Sequence, residues 1–81
     1  MRALMVVLLY LTVWDYDTGT KLYESEVEVP YYSKYIGKME ACRIVGIEMA
    51  KKLTRDYRVK YHNASTNVSC RWEQRHLGIH K

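Results

Sequence analysis

The sequence has no phenylalanine, one proline, four glycines and two cysteines among its 81 residues. So few glycines and prolines exclude flexible linkers and low-complexity segments, and two cysteines allow at most one intramolecular disulfide. Eight tyrosines are present instead, and each combines a large apolar ring with a polar end that suits the edge of a core or an interface. A chain of this length holds one modest core. We therefore expect a single domain over residues 1–81.

The charged side chains are unevenly distributed along the chain. Residues 1–30 contain two basic and five acidic side chains, whereas residues 31–81 contain eleven basic and four acidic ones, and the net charge is +4. Hydrophobic residues make up 48% of the chain and charged residues 27%, which excludes wholesale disorder. We therefore expect the folded molecule to have an acidic side and a basic side.

The apolar run Ala3–Leu11 follows a Met-Arg start and resembles the beginning of a secretory signal. The next residues, Thr12–Trp14, are too bulky for a signal-peptide cleavage site, and the run is shorter than the ~20 residues that a transmembrane helix needs. Its β-branched and aromatic residues favour a pleated, enclosed position instead. We therefore expect a central strand that is buried on both faces, and no transmembrane segment.

A second strand, antiparallel to the first, is predicted over Lys21–Val29. Gly19 permits the left-handed backbone of the turn that precedes it. Residues of the strand alternate in polarity, so that successive side chains point to opposite faces. Three carboxylates line its outer face, namely Glu24, Glu26 and Glu28. Pro30 ends this strand.

One helix is predicted from an N-cap near Ser33 to about Arg55. Its sheet-facing stripe recurs at steps of three and four residues and contains Tyr35, Met39, Cys42, Gly46, Met49 and Leu53. Alternation predicts a third strand over Tyr57–His62 and a fourth over Val68–Glu73, whereas residues 74–81 have no pattern and are expected to form a tail. The predicted fold is α+β, a small antiparallel sheet in ββαββ or ββαβ order with one helix packed on one face.

The two cysteines are expected to touch, because the helix stripe holds Cys42 and the inward face of the last strand holds Cys70. In an oxidising compartment they would form a disulfide, and in bacterial cytoplasm they would be two buried thiols in contact. Since the N-terminal run lacks a cleavage site, we expect free thiols. A buried position also argues against Cys42 as a catalytic thiolate.

Short metal-binding patterns in the sequence fail on their context. Asp15, Asp17 and Glu26 match three ligand positions of a calcium loop, but the glycine falls one position early and strands flank the loop. His76 and His80 have the spacing of zinc ligands, yet they lie in the predicted tail and the cysteines are far apart in the chain. The sequence therefore predicts no catalytic residue, no metal, no cofactor and no enzymatic activity.

Two kinds of contact surface are predicted. A nucleic-acid surface would use the cations Arg58, Lys60, Arg71 and Arg75, although strand alternation points the neighbouring tyrosines away from them. A protein-binding surface is favoured, because tyrosine is enriched at interfaces and three isoleucines lie on the outer flank of the helix. Its candidate residues are Tyr31, Tyr32, Tyr35, Ile36, Ile44 and Ile47. The isoleucine flank could also form a homodimer around a two-fold axis.

The arrangement of Leu4–Trp14, Asp17–Gly19, Cys42 and Val68–Cys70 resembles that of small accessory proteins of bacteriophages and prophages. The resemblance is one of architecture and covers most of the chain. It implies a viral protein in the cytoplasm of a bacterial host, where such proteins bind and inhibit host proteins, including antiviral defence components. A small basic nucleic-acid-binding module and a secreted or membrane-associated disulfide protein are the alternatives.

Overall fold

The described residues form three strands and one helix. The computed structural model describes residues 2–29 and 37–77 of the chain, and the side chains of residues 5–29 and 37–74. Its elements are β1 (Arg2–Asp15), β2 (Thr20–Glu28), α1 (Lys38–Arg58) and β3 (Ala64–Leu77). The strands form an antiparallel sheet in the order β2-β1-β3, and α1 packs on one face. The α+β class and the ββαβ order are thereby confirmed.

Strand β1 lies between the other two strands, as its composition predicts. Val7, Leu9 and Leu11 point towards α1 and form the centre of the core. The alternate residues Val6 and Leu8 point to the opposite face and are also buried. We call the two sides of the sheet the helix face and the open face. The prediction of a central strand buried on both faces is confirmed.

The turn between β1 and β2 is held by the buried carboxylate of Asp15. One of its oxygens accepts a hydrogen bond from the backbone N–H of Asp17 at 3.1 Å, and the other accepts one from the Thr18 hydroxyl at 3.0 Å. Gly19 has a φ of 72° and donates its N–H to the Asp15 carbonyl at 2.8 Å. Because this φ lies in the left-handed region, glycine is the residue that fits here.

The helix begins and ends later than predicted. It begins at Lys38 after Gly37, whose backbone is extended and whose position offers no side-chain cap. It ends at Arg58, so the predicted start near Ser33 and the predicted end near Arg55 are both displaced towards the C-terminus. Ser33 itself lies outside the described residues.

The predicted third strand over Tyr57–His62 is wrong. Tyr57 and Arg58 form the last turn of α1, and the residues that follow form turns in which the N–H groups of Lys60 and Tyr61 donate to the Tyr57 carbonyl. Tyr57 and Tyr61 are four residues apart, which places them on one side of a helical turn as readily as on one face of a strand. The alternation therefore fitted both structures.

Strand β3 is longer than the predicted Val68–Glu73. It pairs with β1 along its whole length, from Ala64 opposite Asp15 to Leu77 opposite Arg2. The expectation of a tail is wrong for residues 74–77, because β1 supplies a pairing partner that local polarity does not reveal. Residues 78–81 lie outside the described residues.

Helix α1 is fixed to the sheet by one covalent bond and one close approach. Cys42 and Cys70 form a disulfide with their Cα atoms 6.1 Å apart, so the predicted contact is confirmed and the expectation of free thiols is wrong. A Cβ atom on Gly46 would lie 2.6 Å from Cγ1 of Val68 and 2.9 Å from Cδ1 of Leu9. Glycine therefore lets the helix approach β1 and β3 more closely than any other residue would.

Candidate protein-binding surface

The solvent side of α1 carries two exposed isoleucines, and Met49, which was predicted to face the sheet, is also 37% exposed. Ile44 is 45% exposed and Ile47 is 51% exposed, as the helical phase of the sequence predicts. Lys51 and Arg55 follow at helical spacing on the same side, and Arg58 completes the series one turn later. We call Ile44, Ile47, Lys51, Arg55 and Arg58 the helix patch.

An open groove of about 560 Å³ runs along the helix patch. It is lined by Ile47, Ala50, Lys51, Thr54, Arg55 and Arg58. Its apolar floor is therefore bordered by three cationic side chains. Within the described part of the chain, no carboxylate forms an ion pair with any of these three cations. The groove offers an apolar surface and unpaired positive charge to a ligand from outside.

Two contacts to β3 fix the C-terminal half of this surface. The Thr54 and Thr66 hydroxyls are joined by a hydrogen bond of 2.8 Å, and Nε of Arg58 donates to the carbonyl of Ala64 at 2.9 Å. Because these contacts hold the last turns of α1 against the strand, the groove has a defined shape.

The tyrosine part of the predicted protein-binding surface is not placed. Tyr31, Tyr32, Tyr35 and Ile36 all lie outside the described residues. Lys51 and Arg55 are the members of the helix patch that the sequence reasoning missed. The signal that could have found them is helical spacing. Lys51 lies seven residues after Ile44 and four after Ile47, and Arg55 lies four residues after Lys51.

The cations predicted to contact nucleic acid lie on different elements of the fold. Arg58 ends α1, whereas Lys60 follows in the turn with its Nζ 5.5 Å from the centre of the Tyr61 ring. Arg71 lies on the open face, where it forms ion pairs with Glu26 at 3.2 Å and Glu73 at 3.7 Å. Arg75 belongs to β3, but its side chain is outside the described part. Alternation in the predicted third strand placed Arg58 and Lys60 in one row, and that strand does not form.

The open face carries an ion pair between its two edge strands. Register places Leu8 opposite Arg71 on one side and Tyr10 opposite Glu26 on the other, so the Arg71–Glu26 ion pair crosses β1. Arg71 and Glu26 are thus paired within the chain, whereas no described carboxylate forms an ion pair with Lys51 or Arg55.

A second polar group lies further along the open face. The Tyr10 hydroxyl donates to the Glu24 carboxylate, and Nζ of Lys21 lies 3.1 Å from the same carboxylate and 5.8 Å from the centre of the Trp14 ring. The hydrogen bond from Tyr10, and after it the contact with Lys21, lowers the pKa of Glu24. The same hydrogen bond raises the pKa of Tyr10. These groups stabilise one another and leave little charge for a ligand.

Among the described side chains of β3, two large apolar ones are exposed. Val68 and Trp72 lie on the helix face, as alternation predicts, but they are 36% and 50% exposed. Alternation identifies the face of a strand residue, whereas its burial depends on how far the helix above it reaches. This exposure was therefore not predictable from the strand pattern.

Comparison with known protein families, characterised proteins and solved structures finds none that matches this chain. Among the described side chains, no three histidines, cysteines or carboxylates lie together in a way that could hold a metal ion. No described helix is long and apolar enough to cross a membrane. The function proposed below rests on the geometry of the helix patch.

Proposed function

We propose that this protein is a non-enzymatic binding protein whose helix patch docks on an acidic surface of another protein. The observation that carries the proposal is the pair of half-exposed isoleucines, Ile44 and Ile47, beside three cations that have no carboxylate partner within the described residues. Elsewhere, the polar side chains of the open face are paired with each other. Among the described residues, the helix patch is therefore a surface with unused binding capacity.

The patch has the chemistry of a protein interface. Apolar side chains at the centre of an interface supply most of its affinity, and arginine is enriched there because its guanidinium binds carboxylates in a bidentate manner. Positive charge at the border speeds encounter with an acidic partner and disfavours basic ones. Ile44 and Ile47 would act as anchors, with Lys51 and Arg55 setting the specificity.

The proposal extends to the partner through the resemblance to phage accessory proteins. On that basis the partner is a bacterial host protein, such as a component of antiviral defence, which the small protein inhibits by direct binding. The resemblance in architecture is the support for this part. The Cys42–Cys70 disulfide supports a periplasmic or secreted location over the cytoplasm, because disulfides persist in oxidising compartments.

The test is capture from bacterial lysate and from periplasmic extract, with and without nuclease treatment. The Ile44→Lys/Ile47→Lys variant should lose the captured partner, whereas the Met5→Lys/Val27→Lys variant should retain it. The control adds the same charge at two other exposed apolar residues, which lie on β1 and β2 and not on α1. A second variant, Lys51→Glu/Arg55→Glu, should also capture less of the partner. The binding that remains should depend less on salt concentration than that of the unmodified protein.

Three results would contradict the proposal. Capture that disappears after nuclease treatment would favour the nucleic-acid alternative, since phosphate contacts would then carry the binding. Equal loss in the patch and control variants would show that added charge, rather than the patch, is responsible. Full capture by both patch variants would place the binding surface elsewhere.

A further inference from the structure

The outer edge of β3 presents free backbone groups. The N–H of Val29 donates to the carbonyl of Val7 at 2.9 Å, which shows that the backbone groups of Val7 point towards β2. In an antiparallel sheet successive residues bond to opposite sides. Trp72, which lies opposite Val7, therefore directs its N–H and C=O away from β1. Every second residue along this part of β3 directs its N–H and C=O away from β1 in the same way, namely Thr66, Val68, Cys70, Trp72 and Gln74.

The two edge strands of the sheet differ in how they are protected against pairing. Strand β2 has nine residues, and four of them are charged, namely Lys21, Glu24, Glu26 and Glu28. Such charges discourage the addition of another strand. Strand β3 has no proline, no glycine and no charge from Ala64 to Cys70. Among the described residues no strand pairs with its outer edge, and a side chain occupies it at one carbonyl, that of Ala64, which accepts from Arg58.

We infer that the protein forms a two-fold symmetric dimer in which β3 pairs antiparallel with β3 of a second copy. The two sheets then join into one sheet of six strands with both helices on the same face. A two-fold axis through identical edges permits antiparallel pairing and closes the assembly at two copies, because the outer edges that remain are the charged β2 strands. This inference does not depend on the proposed function.

The direction of the free backbone groups limits the register of the pairing. In β3 only even-numbered residues direct both the N–H and the C=O to the outer edge, so each hydrogen-bonded pair must join two even-numbered residues. The midpoint of such a pair is itself a residue number, so the two-fold axis must pass through a residue of β3 and not between two residues. An axis at Arg71 would place two arginines opposite each other, and an axis at Glu73 would place two glutamates opposite each other, which is unfavourable. Both registers are therefore excluded.

An axis at Cys70 uses nearly the whole of β3. It places Arg71 opposite Ser69 and Glu73 opposite Asn67, so no like charges meet. It also places Val68 opposite Trp72 of the second copy, twice in each dimer. These are the exposed large apolar residues among the described side chains of β3, and a cross-strand pair of an aromatic and a β-branched residue is favourable. The exposure of Val68 and Trp72 is thereby explained.

The dimer would bring the two helices side by side. Since α1 packs against β1 and β3 and is bonded to Cys70, the two helices would pass each other near Cys42. Helices pack with their axes about 8–10 Å apart, so the dimer requires each helix axis to stand about 4–5 Å from the two-fold axis.

Sedimentation velocity over a range of concentrations tests the dimer, and matched lysine substitutions test its edge. Trp72→Lys should weaken self-association about tenfold, whereas Val27→Lys, on the helix face of β2, should leave it unchanged. Thermal unfolding of both variants confirms that they fold. A protein that stays monomeric at every concentration would overturn the inference, as would a dimer equally sensitive to both substitutions.

Cysteine cross-linking tests the register separately. Under oxidising conditions, a mixture of Val68→Cys and Trp72→Cys proteins should form a mixed disulfide, because these residues face each other with Cα atoms about 5.5 Å apart, within the reach of a disulfide. Each variant alone should cross-link much less, since its two copies would be separated along the strand. Mass spectrometry of non-reduced peptides distinguishes the new bond from Cys42–Cys70. Cross-linking of Trp72→Cys alone, or none in the mixture, would overturn the proposed register.

Discussion

The two faces of the sheet are built on the same strand but are covered in different ways. On the helix face, Leu9 packs beneath a helix that Gly46 brings close and the Cys42–Cys70 disulfide holds in place. On the open face, Leu8 is also buried, and among the described residues an ion pair between Glu26 and Arg71 crosses β1 there, with no second helix. One buried strand thus has a helix on one side and polar side chains of its neighbouring strands on the other.

Reduction of the disulfide should cause the largest change, and it acts on the helix face. For a cross-link between residues separated by 28 positions, the entropy of the unfolded chain predicts a loss of about 3.5 kcal/mol in the free energy of unfolding. Urea unfolding with and without reductant measures it. A Cys42→Ala/Cys70→Ala variant is the control and should not respond to reductant. An unchanged urea midpoint in the unmodified protein would contradict the prediction.

Matched truncations compare the two faces directly. Leu9→Ala should lower the free energy of unfolding by about 3 kcal/mol or more, because a rigid helix and sheet surround the cavity. Leu8→Ala should cost about 2 kcal/mol, since the side chains on the open face can move inwards and water can enter. Urea unfolding under oxidising conditions gives both values. Equal losses would show that the open face is as firmly packed as the helix face.

Gly46→Ala should test the close approach of the helix. The added methyl group must displace Val68 and Leu9, which costs about 1–3 kcal/mol, while alanine returns about 1 kcal/mol of helix propensity. We expect a net loss of about 1 kcal/mol in stability. In a Val68→Ala background the methyl group has room, so the same substitution should become neutral or stabilising. A loss that is the same in both backgrounds would contradict this interpretation.

The smallest effect is expected on the open face, in the titration of Glu24. Its pKa is lowered in the folded protein, so its carboxylate contributes stability above the pKa of the unfolded chain and loses it as the pH falls through the folded value. Tyr10→Phe removes the hydrogen bond that is the largest cause, and the pKa of Glu24 should rise towards its ordinary value. Carboxyl NMR titration of both proteins measures the change. An unaltered midpoint would show that Lys21 alone sets the pKa.

The fold was predictable where local pattern and tertiary partners agree. The run around Val6–Val13 and the alternation of Lys21–Val29 gave β1 and β2 correctly, and helical phase placed Ile44 and Ile47 on the solvent side. The region after Arg55 was not predictable, because Tyr57 and Tyr61 suit a helical turn and a strand equally. The last residues of β3 owe their structure to pairing with the beginning of β1, a long-range effect that no local pattern contains.

The candidate surfaces show the same division. Exposure of the helix patch follows from the period of one helix, so the sequence locates Ile44 and Ile47. A row that contains Arg58 and Lys60 depended on the predicted third strand, which is incorrect. The free edge of β3 depends on strand order and on the direction of backbone groups, which only the three-dimensional structure supplies.

The disulfide also determines how the protein would respond to proteolysis. The exposed turn that contains Lys60 lies between Cys42 and Cys70 in the chain. A protease that cuts after Lys60 would produce two fragments, one with β1, β2 and α1 and the other with β3. These fragments would stay joined through the sulfur atoms, and the second would still be paired along β1. Cleaved and intact molecules would therefore migrate together until a reductant separated them.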